Sequence, residues 1–183
     1  LHDIGKLRIS RQILKKPSVL TDDEFDEIKN HTLYGYQILK NNSNISPVAA
    51  YIALSHHERY DGNGYPMQLK GDKINKFARI VAVADVFDAL FSDRVYRKKL
   101  HPREIINYFT ETGSHYFDPE VVDKFVNLVT MYPTGTNVIL NTGERGVVVS
   151  NNKGLPLSPV VRIKCDDSNN RFKRYYKNYY EIN

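Results

Sequence analysis

The 183 residues contain no tryptophan, two methionines and a single cysteine, Cys165. One thiol excludes an internal disulfide and any metal site built from several thiolates. It fits a reducing compartment. Long apolar runs are also missing. The most apolar stretch, Ala78 to Phe91, is interrupted by Asp85 and Asp88 and falls short of the ~20 apolar residues that a bilayer span needs. No signal peptide is visible. These absences predict a cytoplasmic chain. Leu1 already stands inside a motif, so a longer parent is expected, with a sensor or receiver domain, or a membrane anchor, upstream.

The formal charge is +5, and it is unevenly placed. Residues 1–132 hold 18 Lys/Arg against 17 Asp/Glu, and residues 133–183 hold 8 against 4. A basic tail of this size reads as a solvated face, and no DNA or RNA partner is expected. Hydrophobic residues at 41% and charged residues at 26% mark a globular chain. Its length suits one ordinary domain with a small appendage.

Two textures divide the chain. Up to Tyr132 the pattern is helical. Thr21 to Glu24 form a capping box, and the helix it opens is expected to carry Phe25, Ile28, His31 and Ile38 as far as Asn41-Asn42. Ser46-Pro47 starts another helix, expected to end near His57 or Glu58. His101-Pro102 and Asp118-Pro119 repeat that start signal, with His101 as N-cap. Asp61 to Pro66 is too rich in turn formers for a helix. Phe77 to Phe91 is apolar nearly all round and predicts a buried central helix. After Tyr132, the β-branched runs 137–140, 146–149 and 160–163 predict a small antiparallel sheet, to which residues 171–182 could add a strand. The expected organisation is a domain over 1–132 and a β-rich extension over 133–183.

Histidine and carboxylate residues carry the chemistry. His2-Asp3, His31 and His56-His57 are each unremarkable alone. Asp85, in the middle of an apolar run, is not: an unpaired buried carboxylate costs several kcal/mol. Imidazoles and carboxylates together are a ligand set for Zn, Mn or Fe. Asp3 could bridge two metals, a pair suited to in-line phosphoryl displacement. Lys6, Arg79, Arg94 and Arg97 are cations that could hold phosphate.

Leu1-His2-Asp3-Ile4-Gly5-Lys6 resembles the signature of the HD superfamily of metal-dependent phosphohydrolases. His56 through Pro66, with its Gly64-Tyr65-Pro66 end, resembles the motif of the HD-GYP subfamily. So do Ala78 to Asp85, Ser92 to Arg97 and Gly113 to Pro119. The resemblance covers about residues 1–130. It implies a mainly α, HD-type helical bundle followed here by the small β extension. It also implies hydrolysis of cyclic di-GMP, or a related cyclic dinucleotide, with two or three iron or manganese ions. Carried over by motif, it implies metal ligation by His2, Asp3, His31, His56, His57 and Asp85. Catalytic roles fall to Asp3 and Lys6, and substrate contacts to Tyr65, Arg94, Arg97 and, more weakly, Arg79. Glu58 is expected to orient a ligand histidine, and His115 to be structural. A homodimer is compatible with the pattern. The family has a further ligand histidine before the His-Asp pair. Without it one metal would be under-coordinated, and this chain poorly active. A catalytically weak receptor and an HD phosphohydrolase for another nucleotide are the competing expectations.

Overall fold

A computed structural model describes residues 1–93, 98–164 and 176–178. The chain divides into two compact units, Leu1–Val122 and Asp123–Asn183.

The first unit is helical. A 3-10 turn, Ile4–Arg8, leads into the short helix α1, Arg11–Leu14, then α2, Asp22–Lys29, and α3, His31–Lys40. The Thr21/Glu24 capping box forms, with the Thr21 side chain accepting from the Glu24 amide and Glu24 accepting from the Thr21 amide. The expected single helix from Thr21 to Asn41 is instead two helices broken at Asn30. Side chains explain the break. His31 Nδ1 donates to the Ile28 carbonyl at 2.6 Å, and the Thr32 hydroxyl donates to the Lys29 carbonyl at 2.9 Å. Both take acceptors that a continuous helix would give to its own amides.

Helix α4, Pro47–Ser55, opens at the Ser46 cap with proline in its first turn, and His56 is its C-cap. The helix stops two or three residues before the expected end, so both adjacent histidines follow its last helical residue. Helix α5 spans Lys76–Phe91, and only Ala78, Ala82 and Val83 along it are buried. Phe77 and Ile80 are exposed. The expectation of a helix buried all round is therefore corrected: one narrow face of small residues is packed. Helix α6, Pro102–Asn107, opens with a capping box in which His101 is the N-cap, and it continues as a π-helical turn over Tyr108–Thr112. Helix α7, Pro119–Leu128, begins in the first unit and ends in the second.

Close backbone approach ties the amino-terminal turn to α3. A Cβ on Gly5 would overlap the His31 carbonyl and the Gly35 amide. Only glycine allows this contact, and it seats Asp3 and Lys6 against the start of α3. Leu39, Ala50 and Ala53 form the core beneath, with Ile4, Tyr36 and Ile45 packed on it.

The second unit holds a four-stranded antiparallel sheet in the order β1-β2-β3-β4, with β1 at Asn137–Ile139, β2 at Arg145–Asn152, β3 at Leu155–Lys164 and β4 at Tyr176–Asn178. Val138, Val148, Val161 and Ile163 alternate onto its buried face, the period-2 signature of a half-buried sheet. The irregular register between Val148 and Asn152 lies opposite the prolines of β3, which cannot donate to the ladder. The three expected β runs all form strands. Of the expected last strand only Tyr176–Asn178 lies within the described residues. Among these, no helix is long and apolar enough to cross a membrane.

Candidate metal centre

His2 and Asp3 come from the amino-terminal turn, His31 from the first residue of α3, His56 and His57 from the end of α4, and Asp85 from the middle of α5. The fold gathers them into two overlapping sets. Asp3, His31, His56 and His57 offer ligand atoms that all lie within 4.8 Å of one another, and so do His2, Asp3 and Asp85. Asp3 belongs to both. Its Oδ1 lies 3.4 Å from His31 Nε2 and 3.8 Å from His56 Nε2. Its Oδ2 lies 3.6 Å from His2 Nε2 and 2.6 Å from Lys6 Nζ. His2 Nε2 is 3.5 Å from Asp85 Oδ1.

The backbone sets the tautomers. His31 Nδ1 lies 2.6 Å from the Ile28 carbonyl and His56 Nδ1 lies 3.0 Å from the Ala53 carbonyl. Each Nδ1 must therefore carry the proton, leaving a lone pair on each Nε2. Those two Nε2 atoms are 3.4 Å apart, and both face Asp3. Lone pairs and a carboxylate pointed at one another repel unless a cation lies between them. His31 and His56 are almost fully buried, so water does little to relieve that repulsion. The donor set fits a divalent metal.

Electrostatics agree. Burial, followed by the neighbouring His56, pushes His57 down to about 2. Burial is also the main cause that lowers His31, outweighing its bond to the Ile28 carbonyl. Both rings are neutral near pH 7, as ligands must be. Partial burial would raise Asp3, but the Lys6 ammonium bonded to its Oδ2 counters this, and the carboxylate stays well below the usual range.

Tyr65 closes one side. Its ring stacks on His57 with centroids 4.8 Å apart and meets Phe25 edge-on at 6.5 Å. Burial first, then Asp85 and Asp3, raises its hydroxyl above the ordinary tyrosine value. A cavity of about 590 Å³ opens over the cluster, lined by His2, Asp3, Lys6, Tyr65 and Asp85 among others. Asp88, one helical turn past Asp85, lines it too. Its one signal in the sequence is the i, i+3 spacing from Asp85, which places both carboxylates on one helix face. Asp85 is half-buried rather than fully buried, and it faces this cavity.

Two expected roles are corrected. Glu58 does not orient a histidine. Its buried carboxylate accepts from the Met67 amide at 2.6 Å and the Leu69 amide at 2.9 Å, pinning the loop that carries Tyr65. Arg79 does not face the cluster. It pairs with Asp72 at 2.8 Å and with buried Asp118 at 2.7 Å, tying α5 to the cap of α7. Arg94 and Arg97 lie outside the described residues. His115 lies edge-on against Tyr116, with centroids 4.0 Å apart.

A family model for the HD domain matches residues 1–121. The chain belongs to the HD domain family. The HD domain here carries the HD-GYP motif over His56 to Pro66, and a second model, for a KOW domain associated with the HD domain, matches residues 137–183. The chain is 41% identical, over 89% of its length and 39% of the relative's, to a cyclic di-GMP phosphodiesterase, PA4108, of Pseudomonas aeruginosa. It is 48% identical to the cyclic di-GMP phosphodiesterase response regulator RpfG of Xanthomonas campestris, over 67% of this chain and 33% of that one. It is 40% identical to a 3′3′-cGAMP-specific phosphodiesterase of Vibrio cholerae, over 67% and 24%. The chain thus spans well under half the length of these relatives. A solved HDG"Y"P protein of Bdellovibrio bacteriovorus, Bd1817, shares the HD domain fold with a TM-score of 0.53 at 17% identity, over 67% of this chain and 38% of that one.

Proposed function

We propose that this HD domain is a metal-dependent phosphodiesterase that hydrolyses cyclic di-GMP to the linear dinucleotide or to GMP. The observation that carries the reading is the Asp3 carboxylate shared between two donor sets, with Lys6 bonded to the same oxygen that faces His2. The relatives named as cyclic di-GMP phosphodiesterases support the substrate.

In this reading His2, Asp3, His31, His56, His57 and Asp85 would hold two or three divalent ions, iron or manganese, with Asp3 offering one oxygen to each donor set. Ions bound there would acidify water and draw charge from the phosphoryl oxygens. Lys6 sits at the cavity wall, where its ammonium would stabilise charge on the scissile phosphate. Tyr65 keeps its hydroxyl proton and would donate it to a phosphate oxygen. Arg94 and Arg97 would contact the dinucleotide. The catalytic domain is taken as residues 1–132, with 133–183 as an appended β module that has no catalytic role. An intracellular messenger as substrate supports a cytoplasmic setting, with an upstream sensor or receiver in the parent protein. A homodimer remains part of the proposal.

The test is hydrolysis of cyclic di-GMP by the chain loaded anaerobically with Mn²⁺ or Fe²⁺, followed by chromatography, with metal content measured alongside. Asp3→Ala should remove most bound metal and at least 100-fold of any turnover, on the order expected for losing a shared ligand. Wild-type turnover that persists in metal-free Asp3→Ala protein would overturn the reading.

A further inference from the structure

A second cavity, of about 470 Å³, adjoins the first, with the Tyr65 and His57 side chains lining both. It is a fitting size for part of a small ligand. Its walls are aromatic: Phe25, Tyr108, Tyr116 and Phe117 join Tyr65. Tyr108 reaches it from the π-helical turn, an irregularity often found at functional sites.

The charged and amide side chains that line this cavity are nearly all engaged. Lys29 pairs with Asp26 at 2.6 Å. Arg59 pairs with Asp61 and lies over the Tyr116 ring, 3.7 Å from its centroid. The Asn63 amide also bonds Asp61. Glu58 is taken up by the Met67 and Leu69 amides. Among the described residues, the amide left over is that of Gln68, at the rim.

Gln68 is also the one non-glycine among the described residues with positive φ, at 53°. A left-handed backbone is unfavourable for a residue with a Cβ, and it persists only where the surroundings enforce it. Here the enforcing group is visible. Glu58 grips the amides on either side of Gln68, and so holds the residue in that conformation. A buried carboxylate thus keeps a strained residue with an uncommitted primary amide at the mouth of an aromatic cavity, next to the histidine and aspartate cluster.

We infer that this second cavity binds one purine base of the substrate, stacked among its tyrosines, with the Gln68 amide hydrogen-bonded to the base edge and Glu58 as its positioning residue. This rests on the proposed cyclic dinucleotide phosphodiesterase. A primary amide offers a donor and an acceptor together, which match the paired donor and acceptor positions on a purine edge. A base placed here leaves its phosphate on the cluster side of Tyr65.

The test uses the metal-loaded chain and Gln68→Gly, which adopts the left-handed backbone without strain and removes the amide. Cyclic di-GMP is titrated calorimetrically into both proteins. Bis-nitrophenyl phosphate, a phosphodiester without a purine, is titrated as reference, and thermal midpoints are recorded. The expected result is a Kd for cyclic di-GMP raised about tenfold relative to the reference, the worth of one or two hydrogen bonds, with a midpoint at or above wild type. An unchanged Kd ratio together with a raised midpoint would overturn the inference, because the strain would then serve nothing at this cavity. Wild-type protein that binds the reference but not cyclic di-GMP would overturn the proposed substrate, and the base site with it. Wild type that binds both, with no change in Gln68→Gly, removes the base site alone.

Discussion

Burial lowers the basicity of His31 and His57, and it does so while leaving their Nε2 or ring edges facing a carboxylate. The consequence can be measured. In the unfolded chain each ring takes up a proton as pH drops below about 6.5. In the fold the same rings resist protonation, His57 down to about 2. The unfolded state therefore binds more protons in that window, and stability falls with falling pH. The contribution is fully present above about 6.5 and is lost progressively below it. The thermal midpoint of metal-free protein should drop between pH 7 and pH 5 as the unfolded chain takes up protons that the fold refuses. A flat midpoint would contradict the neutral, buried assignment of these rings.

At the scale of elements, the loop from Glu58 to Leu69 is built from the inside outwards. Glu58 anchors its far end, Arg59 and Asp61 clamp its near end, and the Tyr65 amide donates to the His57 carbonyl at 3.1 Å. Gly64 lies so close to Glu58 and Arg59 that a Cβ would overlap their backbone. Gly64→Ala should therefore push Tyr65 off His57. The expected cost is about 2–3 kcal/mol in stability, read by denaturant titration. A fully stable Gly64→Ala protein with native cyclic di-GMP affinity would show that the loop does not depend on this contact. The break between α2 and α3 belongs to the same scale. It turns His31 into a first-turn residue whose ring reaches back to α2, and this brings the ring onto Asp3.

At the scale of the whole molecule, the two compact units each have a core of their own. Ile105, Phe109 and Phe117 are buried in the first and Leu140, Val148 and Val161 in the second. All six proposed metal ligands lie in the first. Residues 1–132 expressed alone should keep the metal content and substrate affinity of the longer chain within about twofold, a difference of less than ~0.5 kcal/mol. Loss of metal from the shortened chain would assign the β unit a part in the site.

Much of this was legible before folding, because the signals are local. Thr21 with Glu24, Ser46-Pro47 and His101 mark helix starts through bonds that span only two or three residues, and alternating β-branched residues mark strands by a period that belongs to the strand itself. The candidate ligands stood out by type and motif. The roles of Glu58 and Arg79 did not, because their partners lie 9, 11 and 39 residues away, and no residue pattern reports which distant amide or carboxylate a side chain will meet. The exposed side of α5 was hidden for the same reason: apolar composition states what can be buried, while packing decides what is. The sequence determined most helix starts, the strands and the ligand types. Tertiary structure decided that the two oxygens of Asp3 face different donor sets, and that Gln68 is held at the mouth of the neighbouring cavity. Both depend on contacts between segments that only the folded backbone brings together.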